Sequence, residues 1–270
     1  MFPKTRELEL VSDATGWQWT QLHPDKPDIW KAVDRGGEPW FVKFRGSANA
    51  LEERAFSVIA QELGISCQSA KFLDVPADSD PWKSLGSGPD PQIYPVALSY
   101  FEKHGVYFCD DCPIELLYNN ICNYGHDISL LNNSKIKNAL DIARGEMLAF
   151  LCEVHDGSEK LITTQHMFVQ IDNETGFRSG GDNNPFRSPW ARETEEGRRE
   201  AEILCEKFAD LGSSVIDEAL RVPIDFPLDL VERLKRNIAA CQERARDPLQ
   251  LKLEFDIRNQ WESEYDVEYS

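Results

Sequence analysis

Apolar and polar residues alternate with a period of two in two short segments near the start of the chain, residues 28–34 and 39–45. This period places successive side chains on opposite faces of a β-strand, and the intervening Arg-Gly-Gly-Glu sequence is typical of a hairpin connection. The pattern predicts a β-hairpin with a lysine in its second strand. One face of that strand carries Trp40, Val42 and Phe44, and the other carries Phe41, Lys43 and Arg45.

A helical period follows the hairpin. After a break at Gly46 and Ser47, apolar residues recur at helical spacing over residues 49–63, and Gly64 closes the segment. The pattern predicts one amphipathic helix with a buried apolar stripe. This stripe consists of Leu51, Ala55, Val58, Ile59 and Leu63.

Strand patterns return at residues 71–75 and 94–102. The stretch between them, residues 76–92, is rich in Pro, Gly, Asp and Ser, which are the residues that favour turns. We therefore expect two strands that are separated by a long loop.

From residue 113 onward the period is mostly helical. An apolar stripe over residues 136–154 predicts a helix of about 18 residues. An irregular segment is expected at 155–165, and a hairpin over 166–182 has its turn at 173–176. Two more helices are predicted by apolar positions near the end of the chain. The first carries Ala201, Leu204, Phe208 and Leu211, and the second carries Leu230, Leu234, Ile238, Cys241 and Ala245.

The order of these elements predicts an α+β fold of two lobes. A small, strand-rich lobe with one helix is expected at residues 1–98, and a mainly helical lobe with an inserted hairpin at 99–270, with a cleft between the lobes. The chain has 270 residues, of which 41% are hydrophobic, so it can bury a core and global disorder is excluded.

The charge balance bears on possible partners. Forty-seven acidic residues against 29 basic ones give a formal net charge of -18, and the sequence has no local basic patch. Such a charge repels phosphate backbones, so we expect no nucleic-acid partner. The sequence contains neither an apolar run long enough to cross a membrane nor a secretory signal, which predicts a cytoplasmic protein without a membrane partner.

Seven cysteines, an odd number, predict reduced thiols rather than a framework of disulfides. One group of them allows a metal site, because Cys109, Cys112, Cys122 and His126 are residue types that bind zinc tetrahedrally. The alternative is a turn with free thiols. The two aspartates between Cys109 and Cys112 and the proline after Cys112 favour this turn. We expect the turn.

Motifs of several large classes are absent from the sequence. It contains no Gly-x-Gly-x-x-Gly and no Walker loop, which argues against a dinucleotide-binding domain or a P-loop nucleotide hydrolase. It also lacks Gly-x-Ser-x-Gly and His-Glu-x-x-His, which argues against the common serine hydrolases and zinc peptidases.

Two neighbouring segments resemble the HipA-like kinases, part of the protein kinase and phosphoinositide kinase-like superfamily. The sequence WFVKF at 40–44 is similar to the strand whose lysine binds the nucleotide phosphates, which implies this role for Lys43. The sequence LEERAFSVIAQELGI at 51–65 is similar to the helix that follows, whose glutamate pairs with the lysine. The resemblance assigns that role to Glu53, with the adjacent Glu52 as the alternative.

Three further segments extend the resemblance. LSYFEKHG at 98–105 has the position of the hinge that binds adenine, which implies Ser99 and Phe101 as nucleotide-binding residues. HDGSEKL at 155–161 resembles the catalytic loop, with Asp156 as the base that accepts the substrate proton. GGDNNPF at 180–186 resembles the loop that carries the second acid, with Asp182 as the magnesium ligand. Leu161 stands where the family has a metal-binding asparagine, and leucine cannot bind magnesium.

The resemblance implies an atypical kinase that uses ATP and Mg²⁺ to phosphorylate a serine or threonine of a protein substrate. The departure at Leu161 leaves a second hypothesis open, a nucleotide-binding or inactive pseudokinase that acts as a protein-interaction module. A third is an unrelated fold. Under the first hypothesis the partner is a protein substrate, and the family resemblance raises the possibility of a cognate antitoxin.

Overall fold

The computed structural model describes residues 4–86, 88–100, 137–138, 140–152, 154, 160–162, 167–170, 176–177 and 195–247. The chain divides into two compact units. The first unit contains residues 1–101, 172–175 and 212–235, and the second contains residues 102–171, 176–211 and 236–270. The predicted lobe boundary near residue 98 stays a prediction.

A six-stranded sheet forms the centre of the first unit. Its strands are β1 (Val11–Asp13), β2 (Gln18–Gln21), β3 (Ile29–Val33), β4 (Pro39–Gly46), β5 (Ala70–Asp74) and β6 (Ile93–Ser99). They are ordered β1-β5-β6-β4-β3-β2. The pairing of β1 with β5 is parallel, and the other four pairings are antiparallel.

The hairpin that the alternating pattern predicts is present. Val33 of β3 pairs with Pro39 of β4, and the connection between them contains the Arg-Gly-Gly-Glu sequence. Asp34 stabilises this turn, because its carboxylate accepts hydrogen bonds from the backbone N–H groups of Gly36 at 2.8 Å and Glu38 at 2.9 Å. In the strand order of the sheet, β4 lies between β3 and β6 and is therefore an interior strand.

One face of the sheet is covered by aromatic side chains. Trp40 and Phe44 of β4 are buried on this face, as the alternation predicts, together with Trp30 of β3. The short helix α2 (Asp80–Ser84) adds Trp82, whose ring meets that of Phe44 edge-on at 5.0 Å between centroids. The prediction of a loop throughout 76–92 is wrong at this helix. Pro81, at the start of the helix, suits a first helical turn because proline lacks the N–H that would remain unbonded there.

The helix α1 (Ser47–Glu62) contacts strands β4, β5 and β6, and it confirms the helix predicted at 49–63. It begins directly after β4 at Gly46. It ends before Gly64, which has a φ of +79°, in the left-handed region that favours glycine. All its residues from Ala50 to Ala60 are buried, including three charged ones. A helix with this much buried charge requires partners for those charges in its neighbours.

A segment from late in the chain belongs to the first unit. It contains the helix α5 (Ser213–Ala219), which contacts α1, and the beginning of the helix α6 (Leu228–Ala245). The sequence periodicity predicts α6 but not α5. The remainder of α6, from Arg236 onward, belongs to the second unit.

The second unit contains α3 (Leu140–Leu151), β7 (Lys160–Ile162), β8 (Phe168–Gln170) and α4 (Glu195–Ala209). The helices α3 and α4 pack against each other. Burial raises the pKa of the Cys205 thiol in α4 to about 12, with the charges of Glu202 and Glu206 acting in the same direction. This thiol is therefore protonated at neutral pH.

The strand β7 corrects the prediction of an irregular segment over residues 155–165. It pairs antiparallel with β8, with Leu161 opposite Val169. Of the strand predicted to follow the turn at 173–176, the structure describes Phe177, whose φ of +59° is not that of a strand, and residues 178–182 lie outside the described residues. The described part of the helix predicted at 136–154 is the 12-residue α3. Within the described part of the chain, no helix is both long and apolar enough to cross a bilayer.

We expect Phe44→Ala to lower the free energy of unfolding of the first unit by about 3–5 kcal/mol, because it removes a buried ring from the aromatic face. Urea denaturation followed by tryptophan fluorescence measures this, since Trp17, Trp19, Trp30, Trp40 and Trp82 all lie in the first unit. Ile224→Ala, at an exposed position, is the control and should change the value by less than about 0.5 kcal/mol. Equal effects of the two variants would contradict the assignment of Phe44 to the core.

Candidate functional site

Lys43 and Glu53 form a buried ion pair between β4 and α1. The Lys43 Nζ atom donates a hydrogen bond to a Glu53 carboxylate oxygen at 2.8 Å. The lysine side chain is 6% exposed and the glutamate side chain 4%. The sequence resemblance implies this pair, and the structure contains it. Glu52, the alternative partner, is also buried.

The local sequence explains why these two side chains meet. Trp40, Val42 and Phe44 lie in the aromatic core on one face of the sheet, so the alternation of β4 directs Lys43 to the opposite face. The helix α1 starts at the end of β4 and packs back along the sheet, which brings its second turn over the lysine. Neighbouring strands fix the lysine from both sides, with Ile29 of β3 and Val96 of β6 opposite it.

The ion pair holds an ammonium group at a fixed place beneath a helix. Removing two charges from water costs free energy that close pairing and further hydrogen bonds must offset. An ammonium has three N–H donors, and the Glu53 carboxylate accepts one of them. A lysine held in this manner is a point charge suited to an anionic group such as phosphate.

Ser99 lies at the end of β6 with its polar groups hydrogen-bonded within the unit. Its backbone N–H donates to the Ser69 carbonyl at 2.8 Å, and its hydroxyl accepts from the Ser69 N–H at 2.8 Å. Its carbonyl accepts a hydrogen bond from the Gln68 side chain, also at 2.8 Å. These bonds fix the direction in which the chain leaves the sheet. The role of Ser99 in nucleotide binding stays a prediction.

A second lysine, Lys71 of β5, is also buried, and it was not predicted from the sequence. Its Nζ lies 4.0 Å from the centroid of the Trp40 ring and 5.3 Å from that of Trp17, on the aromatic face of the sheet. Burial lowers the pKa of Lys71, while the charges of Asp34 and Glu9 act in the opposite direction. The sequence contains a signal for it, because Lys71, Leu73 and Val75 alternate with period two on one strand face.

Lys31 and Tyr100 form a further cationic contact on the same face as Lys43. The Lys31 Nζ lies 4.5 Å from the centroid of the Tyr100 ring, directly after the end of β6. Lys31 of β3 pairs with Phe41 of β4, and Phe41 lies two residues before Lys43 on the same face of the strand. The side chains of Lys31 and Lys43 therefore share a face of the sheet. Neither Lys31 nor Tyr100 was predicted from the sequence.

Several of the predicted site residues lie outside the described residues. These are Phe101, Asp156 and Asp182, and the cysteine and histidine group Cys109, Cys112, Cys122 and His126. Their roles stay predictions. Among the residues that the structure does describe, no group of three or more His, Cys, Asp or Glu side chains is arranged to hold a metal ion.

Comparison with known proteins identifies the fold. No protein-family model matches the chain, and no curated protein matches it. The crystal structure of a Helicobacter pylori proinflammatory kinase, CtkA, is similar, with a TM-score of 0.52 and 10% sequence identity over 92% of this chain and 98% of that chain.

Two structures of CtTel1 also match, a dimer with C2 symmetry and an open conformation. Their TM-scores are 0.39 and 0.38, both with 12% sequence identity. They cover 85% and 80% of this chain, and 11% of each CtTel1 chain. Scores at this level do not define a shared fold. The match to CtkA shows that the chain has a kinase-like α+β fold, as the order of its elements predicts.

We expect Lys43→Met to lower the free energy of unfolding by about 3–5 kcal/mol, because it leaves a buried carboxylate without its ammonium partner. The double variant Lys43→Met/Glu53→Leu should recover most of this loss, since it removes both charges. Urea denaturation of the parent, both single variants and the double variant gives the coupling energy. A coupling energy of zero would show that the two charges do not stabilise each other.

Lys71→Met should leave the free energy of unfolding at neutral pH unchanged or raise it, because methionine can pack against the indole rings without a buried charge. Since burial lowers the pKa of Lys71 in the folded state, the parent should gain stability as the pH rises through that pKa toward 10.5. Lys71→Met should lack this gain in unfolding experiments at increasing pH. The same pH dependence in both proteins would contradict the assignment.

Proposed function

We propose that the protein is an atypical kinase that binds ATP and Mg²⁺ and transfers the γ-phosphate to a serine or threonine hydroxyl of a protein. The observation that carries the proposal is the buried Lys43–Glu53 ion pair, formed between a strand and the following helix in a kinase-like fold. Phosphoryl transfer depends on holding the phosphates in place and neutralising their charge, and a fixed ammonium group does both.

The proposed site combines residues with different roles. Lys43 binds the phosphates and Glu53 orients Lys43, while Ser99 and Phe101 line the position of the adenine. Asp156 accepts the proton of the substrate hydroxyl, and Asp182 holds magnesium, which neutralises charge on the transferred group. The hairpin of β7 and β8 supports this assignment, because it lies between Asp156 and Asp182 in the chain, the order that the family resemblance implies.

A pseudokinase is the second candidate, and Leu161 favours it. This residue occupies the position at which the family resemblance places an asparagine that binds the metal, and it lies within β7. Leucine provides no oxygen for magnesium. In this alternative the protein keeps the nucleotide site, or only its framework, and serves to bind another protein.

The partner and location follow from the same proposal. A protein substrate supplies the hydroxyl group, and a cognate antitoxin is a candidate for a regulatory partner. We also propose a cytoplasmic location, where ATP is present and thiols stay reduced.

A thermal-shift titration with ATP tests the proposal. Magnesium and ATP at 100 times their dissociation constant should stabilise the parent by about 2.7 kcal/mol, because the ligand binds only the folded state. Lys43→Met should lose this stabilisation. Lys71→Met, which changes a buried lysine on the other face of the same sheet, should retain it. If the parent does not respond to ATP either with or without magnesium, the result would favour a pseudokinase that serves only to bind another protein.

Two further variants separate magnesium binding from catalysis. Asp182→Ala should abolish phosphoryl transfer and weaken the magnesium dependence of ATP binding, because it removes the metal ligand. Asp156→Ala should abolish turnover and leave ATP binding nearly intact, since this residue contacts the acceptor hydroxyl. Transfer is measured with labelled ATP, and binding by thermal shift. If Asp182→Ala binds magnesium and ATP as the parent does, the metal assignment is wrong.

A further inference from the structure

The residue that follows Glu53 in α1 is buried against α5. Arg54 is 2% exposed, and it donates hydrogen bonds to the carbonyl oxygens of Glu218 at 2.7 Å and Ala219 at 3.1 Å. Its guanidinium also pairs with the Glu218 carboxylate at 3.0 Å. One side chain therefore binds both the backbone at the end of α5 and a carboxylate on it.

The chemistry of this contact favours a fixed geometry. The carbonyl groups at the C-terminus of a helix carry partial negative charge, which attracts a cation. The guanidinium is planar with donors in fixed directions, so three simultaneous bonds define its orientation. Burial lowers the pKa of Arg54, while the charge of Glu218 acts in the opposite direction. A guanidinium nevertheless remains charged at any physiological pH. The buried charge of Arg54 therefore requires the end of α5 to remain in contact with α1.

The same late segment is also attached to the sheet. The Tyr94 hydroxyl of β6 donates a hydrogen bond to the Asp225 carbonyl at 3.2 Å. The Phe226 ring packs against those of Tyr94 and Phe72, with centroids 4.6 Å and 5.9 Å away. We name residues 213–226 the clamp segment. It contacts α1 at one end and the sheet at the other, on the face of the sheet that carries Lys43.

We propose that the clamp segment, through Arg54, fixes α1 in the position at which Glu53 reaches Lys43. Arg54 is a positioning residue in this proposal, and its consequence for ATP binding rests on the proposed function. Successive residues of a helix are separated by about 100° of rotation and 1.5 Å of rise. A rotation of α1 that frees Arg54 from α5 therefore moves Glu53 with it. The late segment thus determines whether the cation of the site is correctly placed.

Chemical labelling of Lys43 tests the clamp without using nucleotide. An N-hydroxysuccinimide ester acylates accessible amines, and peptide mass spectrometry gives the rate at each lysine. Exposed Lys83 is the internal reference. In the parent, Lys43 should react far more slowly than Lys83, because it is buried and paired. Arg54→Met should raise the Lys43 rate relative to Lys83 by about tenfold or more, since α1 opens more often.

Control variants separate positioning from general destabilisation. Leu73→Ala removes a buried side chain from the aromatic face of the same unit, and Glu62→Gln breaks an exposed ion pair between α1 and Arg6. When the variants are compared at an equal free energy of unfolding, neither control should raise the rate of Lys43 acylation by more than about twofold. Arg54→Lys, which keeps the charge, should restore part of the protection. Glu218→Gln is the milder variant if Arg54→Met does not fold, and it should raise the rate in the same direction.

The outcomes are decisive for the clamp and independent of the kinase proposal. Equal Lys43 rates in Arg54→Met and Leu73→Ala, or a parent Lys43 as reactive as Lys83, would overturn the clamp. If labelling rises as expected and the parent binds magnesium and ATP, Arg54→Met should also weaken ATP binding about tenfold, whereas Leu73→Ala should not. If the parent shows no binding, the proposed function fails while the labelling result still decides the clamp.

Discussion

Burying an ion pair imposes the main constraint on the first unit. Lys43 and Glu53 are almost fully removed from water, so their 2.8 Å contact is needed to offset the cost of desolvating them. This requirement fixes the distance between β4 and α1. It also requires rigid surroundings, which the sheet provides by placing β3 and β6 on either side of the lysine. The aromatic face beneath contributes the burial that stabilises this sheet.

The two buried lysines of the sheet show how environment sets the role of a residue. Lys71 lies over two indole rings, and burial lowers its pKa despite the charges of Asp34 and Glu9. Lys43 lies against a carboxylate at hydrogen-bonding distance. A contact with aromatic rings packs a side chain into a core, whereas a contact with a carboxylate defines the position of the charge. We therefore propose that Lys43 is the nucleotide-binding lysine, whereas the contacts of Lys71 are those of a core residue.

Local patterns predicted the local structure, and contacts distant in sequence were missed. The period of two in residues 39–45 was sufficient for β4 and its two faces, and the period of 3.6 was sufficient for α1. The pairing of Glu53 came from a family resemblance rather than from any period. The contact of Arg54 with Glu218 joins positions 164 residues apart, and a single sequence has no periodic signal for it. The three-residue β7 is too short for such a signal.

Binding and catalysis depend on different parts of this chain. The cation of the site is held by packing within the first unit, and loss of either partner would destabilise the fold whether or not phosphate is transferred. The ion pair therefore supports the proposed nucleotide site, and the proposal of phosphate transfer depends in addition on residues outside this pair. Turnover requires a base and two oxygen or amide ligands for magnesium. The family resemblance assigns the base to Asp156 and one ligand to Asp182, and Leu161 stands at the position of the other ligand. Under the proposed function, phosphate binding depends on the Lys43–Glu53 pair, whereas transfer depends on Asp156 as the base and on Asp182 as the acid that the resemblance assigns to magnesium.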